Sequence, residues 1–195
     1  MIRLESIVED YRKASVEKRI DMILQNFSRF EAIIDCFEKN LSIQIKEEVD
    51  YNRHATYGNL GVRIQTSYIA NPTQDTACDR ESIEKAVKAG DYVTALQGAD
   101  NYEAHRAEIL TLQRMRNDYY RVYNLVNSLD PRERRIFKRY ILKEATITDI
   151  ADVENLTFES VKTRIKKSKQ QVRLCAAVEM RNSNVNYLLV EKEAA

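Results

Sequence analysis

The sequence is poor in the residues that build tight turns and extended strands. Its 195 residues contain four glycines, two prolines and no tryptophan, whereas charged residues make up 31%. Sandwiches and barrels need frequent turn residues between short alternating strands, and this sequence does not supply them. The composition therefore predicts an all-α protein whose helices have long solvated faces.

Cysteine and long apolar runs are also scarce. Cys36, Cys78 and Cys175 are odd in number and far apart, which gives neither a disulfide framework nor a metal spacing, and we expect reduced, buried thiols. No segment approaches the roughly 18 apolar residues of a transmembrane helix, and the first residues lack the apolar core of an export signal. We therefore expect a cytoplasmic protein without a membrane partner.

Motifs for catalysis are missing as well. The sequence contains no glycine-rich phosphate loop, no nucleophile elbow and no HExxH motif. His54 and His105 are isolated, with no carboxylate or cysteine at ligand spacing. We therefore expect no catalytic residue, no metal site and no cofactor, and an enzyme is the least favoured class.

The charges are distributed unevenly although the formal net charge is only +1. Residues 112–181 hold 16 Lys and Arg against 9 Asp and Glu, a net charge of +7, and the other residues hold 15 against 21, a net charge of −6. A basic segment of this size attracts polyanions, whereas the acidic remainder does not. The protein thus divides into an acidic body and a basic head.

Two long apolar stripes predict a helical body over residues 1–128. Residues 16–41 and 99–128 each carry apolar side chains at steps of three and four, the spacing of one helix face. Because such stripes are unstable when exposed, we expect the two helices to pack as an antiparallel hairpin or bundle. Residues 50–75 lose this spacing, and a short extended piece around Val62 is an alternative there. The stripe residues are Ile20, Ile23, Phe27, Phe30, Ile34, Phe37 and Leu41, then Ile109, Leu112, Met115, Tyr119, Val122, Val126 and Leu129.

Residues 147–173 contain the pattern that is most informative about function. Their apolar spacing predicts two short helices joined by a tight turn. From Ser160 to Arg173 the second helix has six basic residues and no acidic one, so its outer face is positively charged. A helix-turn-helix places such a second helix in the major groove of DNA. We therefore expect a head at residues 129–181 that binds double-stranded DNA, followed by a C-terminal tail at 182–195.

Capping residues support these two helices. Thr157 is a good N-cap for the basic helix, and Glu159 in its first turn suits the positive end of the helix dipole. Thr146 or Thr148 caps the preceding helix. The turn between the helices contains no glycine, so we expect Asn155 to take the left-handed conformation.

One apolar core is expected to hold the head together. Its residues are Ile136, Phe137, Tyr140, Ile147, Ile150, Leu156, Val161 and Ile165. Asp130-Pro131 ends the preceding long helix and begins the first helix of the head, because proline is well placed in a first helical turn.

Two motifs of the head resemble region four of bacterial sigma factors and the related LuxR-type heads. They are Leu-Asp-Pro-Arg-Glu-Arg at 129–134 and Thr-Phe-Glu-Ser-Val-Lys-Thr-Arg at 157–164. In those families the first motif leads a support helix and the second opens the recognition helix. The resemblance implies a sigma region-four-like helix-turn-helix head and RNA polymerase as a partner beside DNA.

A second stretch is similar to phage and prophage regulators of the ArpU and RinA type. It comprises Leu-Gly-Val-Arg-Ile-Gln-Thr-Ser at 60–67 and Asn-Pro-Thr at 71–73. Those proteins have a helical N-terminal half and a sigma-like head, and they are associated with late phage gene activation. The resemblance implies a phage-encoded transcriptional regulator in a bacterial host cell, with a body that forms a homodimer or contacts RNA polymerase. The sigma segments that melt the promoter are missing, so the chain does not resemble a complete sigma factor.

Position along the basic helix predicts the role of each DNA-binding residue. Early residues face base edges, where Lys162 can donate to guanine and Glu159 can accept from cytosine, and later lysines bind phosphates. Two alternatives stay open: Phe158 is a core residue, and the arginines of the support helix form ion pairs within the head. The predicted DNA-binding residues are Thr157, Phe158, Glu159, Ser160, Lys162, Thr163, Arg164, Lys166, Lys167, Lys169 and Arg173 on the basic helix, with Arg132, Arg135 and Arg139 on the support helix.

Two other functions compete with transcriptional regulation. A phage terminase small subunit also combines a DNA-binding helix-turn-helix with an oligomerising helical body, and it would form a ring-sized oligomer. A protein-only module, such as a sigma-like polymerase adaptor, would lack an affinity for DNA that falls with salt.

Overall fold

The computed structural model describes the backbone of residues 4–58 and 72–193 and the side chains of residues 7–53 and 79–182. Every regular element within these ranges is helical, which confirms the all-α prediction. The elements are α1 (Leu4–Lys13), α2 (Val16–Gln25), a 3-10 turn (Phe27–Arg29), α3 (Phe30–Gly58), α4 (Pro72–Ala89), α5 (Tyr92–Ala95), α6 (Tyr102–Ser128), α7 (Pro131–Ile141), α8 (Ile147–Glu154) and α9 (Phe158–Glu193). None of the helices in these ranges combines the length and hydropathy that crossing a bilayer requires. The extended piece considered around Val62 and the side chains of His54 and Cys78 lie outside the described residues.

The single helix predicted over residues 16–41 is interrupted, which corrects that prediction. α2 ends at Gln25, and Asn26 has φ −111° and ψ 16° before the 3-10 turn. The Asn26 side chain donates from Nδ2 to the Met22 carbonyl at 3.0 Å and accepts from Nη2 of Arg29 at 2.8 Å. The Met22 carbonyl, which also accepts the backbone N–H of Asn26, thereby gains a second donor at the end of α2. The apolar spacing continues unchanged through the break, which is why the sequence pattern does not reveal it.

The chain folds into two compact units, and each contains residues that are distant in sequence. One unit comprises the described residues among 1–8 and 33–114, and the other those among 9–32 and 115–195. The residues expected to form the DNA-binding head therefore share a unit with α2 and with the C-terminal part of α6. We refer to these as the N-terminal unit and the C-terminal unit.

Aromatic packing fills the core of the C-terminal unit. Phe30 is fully buried, with its ring centroid 6.0 Å from that of Tyr11 and 5.7 Å from that of Tyr119. Phe27 stacks on Tyr123 at 6.3 Å and is tilted against Tyr119 at 5.5 Å. All the apolar stripe residues predicted for the two long helices are buried. The inward direction of those stripes is therefore confirmed, whereas their antiparallel pairing stays a prediction.

A buried carboxylate organises polar groups beside this core. Asp118 of α6 accepts the Tyr11 hydroxyl at 2.9 Å, and its Oδ2 lies 2.9 Å from Nη1 of Arg19. Arg121 donates to the other carboxylate oxygen at 3.1 Å. Because both Arg19 and Asp118 are buried, each needs the other to offset the loss of hydration. The pair links α2 to α6 within the C-terminal unit.

The cysteine thiols differ from the expectation that they are buried. Cys36 and Cys175 are free, and both are exposed. Each lies next to a buried neighbour in its helix, Phe37 and Ala176 respectively, and so points to the solvated side. No disulfide is formed between them.

His105 of the N-terminal unit is not isolated, which corrects the sequence interpretation. Its ring is buried, with Nδ1 3.0 Å from Oε2 of Glu108 and Nε2 3.0 Å from Oε1 of Glu48. Since ionised carboxylates only accept hydrogen bonds, two such bonds require the doubly protonated imidazolium ring. Burial alone would lower the pKa of His105, but the hydrogen bonds to Glu108 and Glu48 outweigh it and the pKa is raised above 6.5.

We predict that Phe30→Ala lowers the free energy of unfolding by about 3–5 kcal/mol, because it leaves a cavity between Tyr11 and Tyr119. Phe158→Ala is a matched control, since Phe158 is exposed, and it should cost about 1 kcal/mol or less. Urea denaturation of both variants measures the difference. Equal losses in the two variants would contradict the buried position of Phe30.

We also predict that His105 makes stability depend on pH. A group with a raised folded-state pKa contributes stability fully below its unfolded pKa of about 6.5 and loses it as the pH rises through the folded pKa. In His105→Gln, the unfolding free energy should therefore change less than in the wild type as the pH rises above about 6.5. Urea denaturation of both proteins at stepped pH tests this. If the free energies of unfolding of the two proteins change in parallel with pH, His105 does not carry the proton responsible.

Candidate nucleic-acid interface

Helices α7, α8 and α9 form the structural frame of the candidate interface. α9 packs against α7, α8 and α2, and α7 also packs against α8. Pro131 occupies the first turn of α7, as predicted. Nη1 of Arg134 donates to the Asn127 carbonyl at 2.8 Å, which joins the start of α7 to the end of α6. The basic helix therefore packs against three helices of the same unit.

Most of the predicted core of the head is confirmed, and one member is wrong. The buried members are Ile136, Phe137, Ile150, Val161 and Ile165. Ile147 and Leu156 are half-buried. Tyr140 is 40% exposed, because Ile141 closes the core at that end of α7 and leaves the tyrosine, with its polar hydroxyl, on the solvated side.

The turn between α8 and α9 adopts the predicted conformation. Thr146 caps α8 in a reciprocal box, in which Asp149 N donates to Thr146 Oγ1 at 3.3 Å and Thr146 N donates to Asp149 Oδ2 at 2.9 Å. The hydrogen bonds from Thr146 hold the pKa of Asp149 below its ordinary value of 3.8. Asn155 has φ +52°, in the left-handed region, and ends α8. Thr157 then accepts the Ser160 N–H at 3.3 Å as the first turn of α9 begins.

α9 buries one stripe of side chains and exposes the opposite one. The inner stripe consists of Val161, Ile165, Ser168 and Val172, which are all buried. Successive residues of an α-helix are about 100° apart, so positions two residues earlier lie on nearly the opposite side. That outer stripe consists of Glu159, Thr163, Lys166 and Gln170, which are all exposed. Lys167 and Ser160 flank the outer stripe and are exposed as well.

The arginines of α9 are bound to carboxylates of the same unit. The pairs are Arg164 with Glu133 of α7, Arg173 with Asp21 of α2 at 2.8 Å, and Arg181 with Glu17 of α2. Ser168 Oγ also lies 3.5 Å from Oε2 of Glu133. Arg164 and Arg173 were predicted to contact DNA, and each has a partner within the protein. Their contact with DNA stays a prediction, and their observed contact fixes α9 on its neighbours.

The lysines of α9 behave differently. Among the residues whose side chains are described, Lys166, Lys167 and Lys169 have no carboxylate within ion-pair distance. Lys162 has one weak pair, with its Nζ 3.6 Å from Oε1 of Glu159. Among the described side chains of α9, the uncompensated positive charge is therefore carried by lysines, of which Lys166 and Lys167 are exposed and Lys169 is half-buried.

Phe158 lies on the surface at the start of α9. Its side chain is 46% exposed, which excludes the alternative that it is a core residue. Nζ of Lys162 lies 6.0 Å from the centroid of its ring. Phe158, Glu159 and Lys162 thus form one exposed group at the start of the helix.

Two arginines of α7 bind one buried carboxylate, that of Glu154. Nε and Nη2 of Arg135 donate to the two oxygens of Glu154 at 2.6 and 2.7 Å. Arg132 Nε lies 3.8 Å from the same carboxylate, whose side chain is only 4% exposed. The hydrogen bonds from Arg135, opposed by burial, hold the pKa of Glu154 below 4.5, with further contributions from the charges of Arg132 and Arg139. The alternative of ion pairs within the head thus applies to Arg132 and Arg135.

Sequence reasoning missed the acidic partners of these arginines. Glu154 falls on the apolar side of α8, three residues after Ala151 and four after Ile150, and a carboxylate at an inward position is itself a signal of a buried partner. In the sequence, Glu133 stands out only as part of the motif at 129–134. Asp21 and Glu17 gave no signal, because they are distant in sequence from the arginines that they bind.

Within the described residues, no group of three or more His, Cys, Asp and Glu side chains is placed to hold a metal ion. The exposed side chains in the first turns of α9 carry ammonium, carboxylate, hydroxyl, amide and phenyl groups.

No protein-family model, no curated protein and no solved structure matches this chain.

We predict that Glu154→Gln lowers the free energy of unfolding by about 1–3 kcal/mol, because Arg132 and Arg135 lose their charged acceptor. A carboxylate with a lowered folded pKa contributes stability above its unfolded pKa and loses it as the pH falls through the folded pKa. The variant should therefore lose less stability than the wild type on acidification below about pH 4.5. Denaturation at stepped pH measures both effects, with the exposed Glu144→Gln as control. A wild-type acid profile in Glu154→Gln would contradict the role of this carboxylate.

Proposed function

We propose that this protein is a sequence-specific DNA-binding transcriptional regulator that inserts α9 into the major groove. In this proposal residues 129–181 are a sigma region-four-like helix-turn-helix head, with α8 as the first helix and α9 as the recognition helix. The mechanism is binding, and it needs neither a catalytic residue nor a cofactor.

The outer stripe of α9 is the observation that carries this proposal. It presents Glu159, Thr163, Lys166 and Gln170 to solvent along one straight line, opposite the buried stripe. These side chains are hydrogen-bond donors and acceptors of the kinds that read base edges in a groove wide enough for a helix. Apart from Glu159, which has the weak pair with Lys162, none is used in a salt bridge among the described residues.

Phosphate binding follows from the unpaired lysines. Lys166, Lys167 and Lys169 can neutralise phosphates and release condensed counterions, which provides affinity that is independent of sequence and sensitive to salt. Arg164 and Arg173 contribute indirectly in this arrangement, because their ion pairs with Glu133 and Asp21 set the position of the helix. Arg132, Arg135 and Arg139 place a further positive group on α7, where the carboxylate of Glu154 orients two of them.

The body and the biological setting belong to the same proposal. A long-helix body over residues 1–128 would form a homodimer or contact RNA polymerase, as in the phage and prophage late regulators that the motifs at 60–67 and 129–134 resemble. The protein would then act in the cytoplasm of a bacterial host. The acidic charge of the body supports protein contact over DNA contact for that part of the chain.

We predict that Lys167→Ala weakens binding to specific and scrambled duplexes alike and reduces the slope of log affinity against log salt by about one unit. Duplexes recovered by selection from a random pool, and scrambled versions of them, serve as probes in fluorescence anisotropy across a salt series. The physical reason is the loss of one phosphate contact with its released counterion.

Lys39→Ala is the matched control for this experiment. Lys39 is an exposed lysine of α3, so the substitution removes the same charge from another place. The control should keep the wild-type slope. If the wild-type protein shows no salt-dependent affinity for duplex DNA, the proposal is wrong. That result would favour a protein-only polymerase adaptor.

A further inference from the structure

Phe158 is an apolar side chain placed within a polar and basic surface. Its neighbours in sequence are the capping Thr157 and the charged Glu159, and Lys162 stands one turn further along. Single exposed apolar side chains are common on protein surfaces. Phe158 is of interest because it stands at the start of a basic helix, the end that contacts base edges in a helix-turn-helix complex.

The polar groups around Phe158 already have partners within the protein. The Thr157 hydroxyl donates to Ser160 Oγ at 3.0 Å and accepts the Ser160 N–H. Glu159 and Lys162 are within 3.6 Å of each other. Nζ of Lys162 lies 6.0 Å from the centroid of the phenyl ring. Nearly half of Phe158 is therefore exposed and accessible to a ligand.

We infer that Phe158 recognises the C5 methyl group of a thymine in the major groove. This inference rests on the proposed function and adds a specificity-determining residue to it. A phenyl ring cannot exchange hydrogen bonds with base edges, so it discriminates only through apolar contact. Thymine is the one standard base that presents an apolar group in the major groove, and apolar side chains recognise it there.

Charge complementarity identifies duplex DNA as the occupant of this surface. Lys162, Lys166 and Lys167 lie on α9 within three turns of Phe158 and are exposed. They attract the phosphates on either side of the groove, and the N-terminal end of the helix, where Phe158 stands, is the end that meets base edges in a helix-turn-helix complex.

The test replaces thymine by deoxyuridine, which removes one methyl group and keeps every hydrogen-bonding group. Duplexes recovered by selection from a random pool carry this replacement at one position at a time, and anisotropy measures their affinity for the full chain. We expect one position at which the wild type binds about fourfold more weakly, the effect of exposing one methyl-sized group.

Phe158→Ala should bind the thymine duplex about as weakly as the wild type binds the deoxyuridine duplex, and it should no longer distinguish the two. Phe158→Leu keeps an apolar side chain and should retain part of the discrimination between thymine and deoxyuridine. This variant shows whether the effect of Phe158→Ala comes from the lost apolar contact or from a folding defect. Tyr140→Ala is the control, since Tyr140 is another exposed aromatic residue of the same unit, and it should discriminate like the wild type.

Three outcomes overturn the inference. The wild type shows no thymine-to-deoxyuridine loss at any position, or the selected sites contain no thymine. Alternatively, Phe158→Ala keeps the full loss, in which case another residue senses the methyl group. Salt-dependent binding of the wild type in these cases leaves the proposed function intact, whereas no duplex binding at all overturns both.

Discussion

The burial of the inner stripe of α9 is the constraint on which the candidate interface depends. Val161 and Ile165 are packed against the neighbouring helices, and this fixes the rotation of α9 about its own axis. A rotation by one residue would move Lys162 and Lys166 toward the buried side, where unpaired ammonium groups are strongly disfavoured. Only one rotation is therefore stable, and it places Thr163 at the centre of the solvated side. The residues that are buried on one side of α9 therefore determine which residues are exposed on the other.

Arginine and lysine have different roles in the candidate interface. The guanidinium group is planar, weakly hydrated and able to hold a carboxylate with two donors, which suits permanent pairs such as that of Arg135 with Glu154. The ammonium group of lysine is strongly hydrated and carried on a flexible stem, and it remains in solvent at Lys166 and Lys167. In this arrangement the arginines fix the position of the surface, and the lysines provide its positive electrostatic potential. A count of basic residues in the sequence cannot separate the two roles.

Local features of the fold could be predicted from the sequence, because they depend on residues close together in the chain. The apolar stripes, the cap at Thr157 and the left-handed turn at Asn155 are of this kind, and the structure confirms them. The break at Asn26 was not predictable from periodicity, since the spacing of the buried residues is the same on both sides of it.

Contacts between residues that are distant in sequence were not predictable. The partner of His105 across the unit is Glu48, and the partner of Arg19 is Asp118; neither pair leaves a trace in local spacing. The same limit applies to the candidate site, where the sequence indicated which residues are basic but not which of them are already paired. Phe158 illustrates the point, because only its exposure in the folded chain shows that it is not a core residue.

The pairing also changes where the positive field lies. The basic excess of residues 112–181 includes Arg173 and Arg181, but Asp21 and Glu17 of α2 bind these two from outside that segment. Charges that are already paired release few counterions on binding, so this part of α9 adds little attraction for a polyanion. Among the described side chains of α9, the uncompensated charge is concentrated between Lys162 and Lys169, in the N-terminal part of the helix. In the proposed function a polyanion is therefore drawn to this part of α9, which also exposes Phe158, Glu159 and Thr163.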